Sequence, residues 1–268
     1  AQVVYGVVGL KTPAKMLLVT RREGRQLRRY GHLSTGNYNP RTAKLYTDLS
    51  VLTADAEITA DMDAVFDHLA NQNRVPHLHH MLLAPFDLQQ RMIQMAEAVG
   101  QAALRGENAR IVAKMNALTD EALIQALLQA AQNGARIDLI VRGACMLPAQ
   151  VPGVSERIRV RSVIGRFLEH TRVFYFAAGD KEDLYLSSAD WMNRNMLRRV
   201  ELAWPVKDKK MRQRIIDECL VAYLYDDRDA WTLQADGHYT RAAHVTDGLG
   251  AQNALMARYG PPRRSYLA

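Results

Sequence analysis

Short apolar runs alternating with amphipathic helical stretches constrain this chain more than any other feature. Residues 109–114, 137–142, 158–163, 173–176 and 184–187 are apolar, β-branched-rich windows of strand length. Between them, residues 87–104 and 119–133 repeat apolar side chains at helical spacing, with Thr119 placed to cap the second helix and Gly134 to stop it. Asp208 is placed to cap a later helix whose apolar face carries Met211, Ile215, Ile216, Cys219 and Leu220. Such alternation predicts an α/β chain with mixed sheets flanked by helices. The opening third predicts three strands in succession, at 3–10, 16–21 and 27–33, the last two joined by a charged turn at 21–25. A helix is predicted at 61–69. A Pro-, His- and Asn-rich connector at 71–85 then predicts a domain boundary, giving units 1–80 and 81–268. The final stretch around Gly260-Pro261-Pro262-Arg263-Arg264 is weakly patterned, as mobile termini are.

Composition narrows the class. With 268 residues, 48% of them hydrophobic, the chain can bury a sizeable core. Its longest apolar runs fall short of the roughly 20 residues that a membrane-spanning helix needs. No targeting segment is recognisable, and the start at Ala1 rather than Met predicts a piece of a longer protein. Cys145 and Cys219 lie among apolar neighbours and read as free thiols, which fits a reducing, cytoplasmic setting. The net charge of +7 favours a polyanionic partner: nucleic acid, nucleotide or a phosphate polymer. Charge alone does not choose among them.

Two segments resemble each other. In the second half, His170-Thr171-Arg172 opens a strand, and a hairpin leads to Leu186-Ser187-Ser188-Ala189-Asp190-Trp191-Met192-Asn193. In the first half, Pro13-Ala14-Lys15 opens a strand, and a basic hairpin leads to Leu33-Ser34-Thr35-Gly36-Asn37-Tyr38-Asn39. A strand-edge imidazole offers a nitrogen that can attack phosphorus. A cation two residues on points to the same side and holds phosphoryl oxygens. Ser and Asn on the adjacent turn would orient the ring. Two such copies facing each other would place a nucleophile and a general acid on opposite sides of one phosphoryl group.

Blander readings compete. His77, His79 and His80 sit in a linker without a Cys or carboxylate frame, so a metal site is not predicted there. Arg21, Arg22, Arg25, Arg28 and Arg29 read first as a solvated hairpin and second as a polyanion track. Lys114 and Asn116 read equally as phosphate contacts or as ordinary turn residues.

The segments Val4-Tyr5-Gly6, Gly9-Leu10-Lys11-Thr12, 30–39, 42–48, Leu139-Ile140-Val141-Arg142-Gly143, 168–172 and 185–192 together resemble the polyphosphate kinases of the histidine-phosphorylating type, over residues 1 to about 225. The resemblance implies the end of one phospholipase D-like domain followed by one complete domain of that kind. It implies transfer of the terminal phosphate of ATP to inorganic polyphosphate, reversibly, through a phosphohistidine. The family's phosphate-accepting histidine lies in a Lys-Thr-His-Ala-Lys motif, which reads Lys11-Thr12-Pro13-Ala14-Lys15 here. Tyr46, Arg142 and His170 match nucleotide-contacting positions, and His32 matches a second histidine of the first motif region, an assistant in proton transfer. Lys15 and Arg172 would clamp phosphoryl oxygens, with His170 as acid/base or nucleotide contact. The family's magnesium-associated residues would precede Ala1, so Mg2+ is implied without ligands in this sequence. ATP, ADP and polyphosphate are the implied partners. No specific nucleic acid is implied, peripheral membrane association is allowed for, and the full-length protein is expected to form a homo-oligomer. Proline has no lone-pair nitrogen and no backbone N–H, so no phosphohistidine forms at position 13. Two alternatives follow: a non-catalytic polyphosphate-binding or assembly fragment, and a phospholipase D-like phosphodiesterase.

Overall fold

The structure is a computed structural model in which residues 3, 6–7, 9–71, 77–243 and 247–260 are described. Strands β1 (Met16–Glu23) and β2 (Gln26–Ser34) form a hairpin around Gly24, whose φ of 62° suits the tight turn. After the two-residue strand β3 (Tyr46–Thr47), strand β4 (Ser50–Thr53) completes a three-stranded antiparallel sheet of order β1-β2-β4. Helix α1 (Ala56–Asn71) packs on it through Ile58, Met62 and Val65, one apolar stripe at helical spacing. The strand expected at 3–10 does not form at the described residues among these. Gly6 and Gly9 adopt φ of 99° and 80°, which breaks an extended run, and Leu10 N donates to Val7 O in a turn.

The large sheet has nine strands among the described residues. Its first members in sequence are β5 (Leu82–Ala84), β6 (Ala109–Met115), β7 (Arg136–Val141) and β8 (Ile158–Val163). The short β9 (Leu168–Glu169) pairs with β3 instead, in parallel. Strands β10 (Arg172–Ala178), β11 (Lys181–Ser187), β12 (Glu201–Pro205), β13 (Ala230–Leu233) and β14 (Tyr239–Arg241) complete the order β14-β13-β8-β7-β6-β10-β11-β12-β5. Pairs β6–β7 and β7–β8 are parallel and the other neighbours antiparallel, so the sheet is mixed, as the alternation predicts.

Alternation along β6 shows how the sheet divides the core. Ile111, Ala113 and Met115 face helices α2 (Leu88–Leu104) and α3 (Glu121–Gln132), joining Met92, Leu123, Leu127, Phe174 and Trp191. Val112 faces the other way, with Leu33, Met62, Val173, Leu186, Leu202 and Trp204. That second cluster draws on both the small sheet and the large one. Hence the two predicted units share a continuous apolar interface.

Three local expectations are corrected. Asp120, not Thr119, caps α3, accepting from Leu123 N at 3.0 Å. The 71–85 connector contains the buried strand β5, and buried Asp61 of α1 accepts backbone N–H bonds from His79, His80 and Met81. That carboxylate pins the segment where the sequence suggests a free linker. Asp208 does cap α5 (Lys209–Ile215), accepting from Met211 N at 2.8 Å. The helix nevertheless widens into a π-helical run at Ile216–Val221, and Met211 stays exposed while Ile215 and Leu220 are buried. Residues 261–264 of the Gly/Pro/Arg tail lie outside the described residues.

Candidate functional site

The site forms where β9 and β10 meet the turn after β3. Parallel pairing of Tyr46 with Leu168 and of Thr47 with Glu169 brings the next two residues, Asp48 and His170, side by side. Asp48 Oδ1 lies 2.8 Å from His170 Nδ1, and Oδ2 lies 3.1 Å from it. His170 N donates to Thr47 Oγ1, and Thr171 Oγ1 donates to Thr47 O. Arg172, two residues on, forks onto Asp190 through Nε at 3.1 Å and Nη2 at 2.9 Å. Its Nη1 donates to Thr35 O at 3.2 Å and His170 O at 2.8 Å, and stands 3.3 and 3.2 Å from the two ring nitrogens of His170. The ring is thus fixed from both sides: by a carboxylate of the first half and a guanidinium of its own strand. The Ser and Asn side chains that the sequence offered for this role do not contact it. Ser187 Oγ bonds Leu202 O and Ala189 N, and Asn193 begins helix α4 (Asn193–Arg198).

Electrostatics follow from the burial. Removal from water, the largest effect, lowers the His170 pKa below its ordinary value; Asp48 opposes this, and the nearby Arg172 and Lys15 charges reinforce it. The imidazole is therefore neutral at pH 7. With Nδ1–H donated to Asp48, the hydrogen-bond pattern assigns the lone pair to Nε2. Lys15 is lowered too, first by burial, with Glu201, Asp48 and Asp190 opposing and Arg172 adding to the fall. Burial pushes the Asp190 carboxyl up, but Arg172 and the hydrogen bonds from Asn116 together outweigh it and hold Asp190 below the usual carboxylate range.

The sequence-derived candidates are not all in one place. Tyr46 stacks at an angle on His170, ring centroids 5.1 Å apart. Arg142 Nη1 donates to Glu169 O at 2.8 Å, so Tyr46, Arg142, His170, Lys15 and Arg172 are gathered about one site. His32 is elsewhere. It faces outward on β2 in register with exposed Leu17 and Leu52, and its Nδ1 lies 2.8 Å from Tyr38 Oη. Pro13 is half-buried beside β12, since Val200 N donates to Lys11 O at 2.8 Å and Ala14 N to Val200 O at 3.2 Å. Arg21 and Arg28 of the basic hairpin pair with Glu23, and Arg29 with Asp63. Among the described residues, no group of three or more His, Cys, Asp or Glu side chains is placed to hold a metal ion.

Two features have no local signal in the sequence. Behind His170, buried Glu169 accepts from Lys114 Nζ at 2.6 Å, Thr47 Oγ1 at 2.8 Å, Tyr223 Oη at 2.9 Å and Gln252 Nε2 at 2.7 Å. Lys114 is thus neither a phosphate contact nor a turn residue, and Asn116 N is bound to Asp190 Oδ1 at 2.7 Å. The second feature is Glu201, buried at the start of β12 beside Lys15, whose burial pushes its carboxyl up to about 7. Its folded-state pKa lies above the unfolded one, so the protein binds an extra proton between about 4.5 and 7 and loses stability as pH rises through that window. The gap corresponds to about 3 kcal/mol. Urea denaturation of Glu201→Gln should show most of that decline removed; an unchanged decline would place the titrating group elsewhere.

Mixed sheets flanked by helices define an α/β chain, with two strand-edge elements meeting about Asp48 and His170. The family model for polyphosphate kinase C-terminal domain 1 matches residues 1–76, and that for C-terminal domain 2 matches residues 81–252. The chain belongs to the polyphosphate kinase family. It is 50% identical over 263 residues to a polyphosphate kinase of Burkholderia cenocepacia (strain HI2424), covering 97% of this chain and 38% of that protein. A polyphosphate kinase of Burkholderia vietnamiensis (strain G4 / LMG 22486) is 51% identical over the same shares. The crystal structure of polyphosphate kinase from Porphyromonas gingivalis superposes with a TM-score of 0.86 at 32% identity, covering 94% of this chain and 39% of that one. Phosphatidylserine synthase from Haemophilus influenzae Rd KW20, at 12% identity and a TM-score of 0.50 over 85% of this chain and 66% of its own, shares the fold alone. The chain spans less than two fifths of the length of these curated relatives. No helix among the described residues is long and apolar enough to cross a membrane.

Proposed function

We propose that this chain supplies the nucleotide- and phosphate-binding part of an ATP–polyphosphate phosphotransferase, with transfer through the usual phosphohistidine blocked at Pro13. The observation that carries the reading is the convergence of Lys15 and Arg172 on a neutral, carboxylate-held His170. Two cations about one point suit phosphoryl oxygens, and a neutral ring with its lone pair on Nε2 suits proton transfer or a nucleotide contact. Tyr46 offers an aromatic face and Arg142 a guanidinium beside it, chemistry that fits adenine and phosphates. Magnesium would arrive with the phosphates of ATP and screen their charge. The predicted division at residue 80 would then put Asp48 in the first unit and His170 in the second, joined by a direct hydrogen bond. In this reading His32, lying apart, is not part of the transfer site.

Pro13 favours a second reading, that the chain binds polyphosphate and ATP without turnover. Both readings require binding, which is the direct test. In the full chain, titration with ATP and with inorganic polyphosphate should give salt-sensitive binding. Arg142→Ala should weaken ATP at least tenfold, and Lys15→Ala should weaken polyphosphate. Equal affinity for the variants and the unmodified chain would sink the assignment, and turnover of a chromogenic phosphodiester would favour the phosphodiesterase reading instead.

A further inference from the structure

The large sheet carries a second group of cations, away from the transfer site. Period-two alternation puts Arg110 and Lys114 of β6, Arg136 and Asp138 of β7, and Arg159 and Arg161 of β8 on one face. The strand registers agree: Arg110 pairs with Arg136, and Asp138 with Arg159. Lys114 reaches Glu169 behind His170, whereas Arg110 lies four residues earlier, roughly 13 Å along the strand. Buried Val112, Ile140 and Tyr223 fill the space between. The arginines at the start of these strands are thus separated from the transfer site by apolar packing.

Two adjoining clefts, of about 160 and 230 Å³, open on this row and share Arg136, Asp138 and Arg159. Arg110 and Arg161 line the first, and Arg157 and Glu156 the second. Five guanidinium groups therefore stand against two carboxylates. Asp138 is already shared: Arg110 Nη1 contacts its Oδ2, and Arg136 Nε lies 3.4 Å from the same oxygen. Arg161 Nη1 is fixed by two main-chain carbonyls, Tyr223 O at 3.0 Å and Asp226 O at 3.2 Å. The guanidinium groups of exposed Arg157 and Arg159 have no hydrogen-bond or ion-pair partner among the described residues. Like charges gathered in this way repel one another, and a bound anion relieves the repulsion.

Size and spacing select the anion. The arginine backbones lie about 4.8 Å apart between neighbouring strands and about 6.7 Å apart along one strand, so the cations form a close row rather than a single cage. Both clefts are smaller than the roughly 300 Å³ at which pockets for drug-sized ligands begin, so they admit phosphate groups and not a nucleoside. Tyr225 is the one aromatic residue lining either cleft, so successive bases would find no stacking platform. A thin chain with charge on every phosphate meets both limits.

We propose that this arginine row is a second binding site for inorganic polyphosphate, holding a stretch of the polymer apart from the transfer site. The proposal goes beyond the phosphoryl-transfer reading and rests on it only for the identity of the polymer. Simultaneous contact at both places raises the affinity for long chains without any new contact at Lys15 or Arg172.

The test is titration of the full chain with long-chain polyphosphate at several salt concentrations. Arg157→Ala/Arg159→Ala should bind it about tenfold more weakly, with the salt dependence shallower by on the order of one unit of log affinity per log salt. ATP affinity should stay within about twofold, and Arg157→Lys/Arg159→Lys should recover most of the polyphosphate binding. As a control for net charge, Arg22→Ala/Arg25→Ala removes two cations from the β1–β2 hairpin and should cost less than about threefold. Unchanged polyphosphate affinity in Arg157→Ala/Arg159→Ala, or an equal loss in the hairpin variant, overturns the proposal. A single-stranded oligonucleotide that loses as much affinity as polyphosphate would make the row a nucleic-acid surface and also count against it. Should the alanine variant fold poorly, the side-chain N–H resonances of Arg157 and Arg159 in the unmodified chain decide: they should shift with polyphosphate and not with ATP, and resonances that stay fixed reject the site. Lys15→Ala separates the two readings. Loss there without loss at Arg157 and Arg159 supports the transfer reading and rejects the second site, and the reverse pattern does the opposite.

Discussion

Pro13→His is expected to raise acid-labile phosphoryl incorporation from ATP by about 10⁴-fold or more, since loss of a nucleophile costs that order or more in enzymes that use one. The surroundings of the position are already in place. Lys15 stands two residues on, Arg172 lies within its electrostatic reach, and His170 is held neutral by burial on the facing element. The backbone around position 13 is pinned by the Val200–Lys11 and Ala14–Val200 bonds, so a new side chain there starts from a fixed anchor. Proline withholds the reacting nitrogen. The measurement is incorporation of labelled terminal phosphate into the full chain, with the label mapped by its acid lability. In a full-length version bearing histidine at position 13, His170→Ala should abolish polyphosphate synthesis, and retained synthesis would remove His170 from the mechanism. Label on the unmodified chain, mapped to His32, would show that transfer does not need position 13 at all.

How far the sequence reaches depends on the distance over which each feature is decided. Strands β6, β7, β8, β10 and β11 are legible because each is a short apolar window whose alternation fits a sheet buried on both faces. Strand β12 escapes such a reading. Its five residues begin with Glu201 and end with Pro205, a charge and a breaker, and only the fold shows that Glu201 is buried against Ser188. The run at 3–10 misleads for the opposite reason: it is apolar and of strand length, yet at its described residues glycine geometry decides the backbone. Within the site, His170 and Arg172 are legible as a strand-edge pair, and Pro13 and Lys15 as their counterpart. Asp48 is not, because its partner lies 122 residues away and nothing near Asp48 marks it. Glu169 is masked in the same way, since Lys114, Tyr223 and Gln252 come from three separate elements.

Lys114→Met is expected to cost about 3–5 kcal/mol, the usual result of removing one partner of a buried ion pair. Lys114 is 2% exposed and Glu169 4%, and the ammonium also lies 4.3 Å from the centroid of the Tyr223 ring. Glu169 is held below its ordinary pKa because Lys114, with Gln252 and Thr47, outweighs the burial that pushes the other way. Without the lysine that balance reverses, and the folded-state pKa rises above the unfolded one. Stability should then be lost as pH climbs above about 4.5. Urea denaturation at pH 5 and pH 8 should show the larger deficit at pH 8, with a fall in Tm on the order of 10 °C. Lys114→Met/Glu169→Gln removes the stranded charge while keeping an amide for Thr47 and Tyr223, and should recover most of the loss. A deficit below about 1 kcal/mol in the single variant would mean that water reaches Glu169. The effect should also pass to the site: Glu169 fixes Thr47, whose hydroxyl accepts from His170 N, so the His170 midpoint should move in Lys114→Met and return in the double variant.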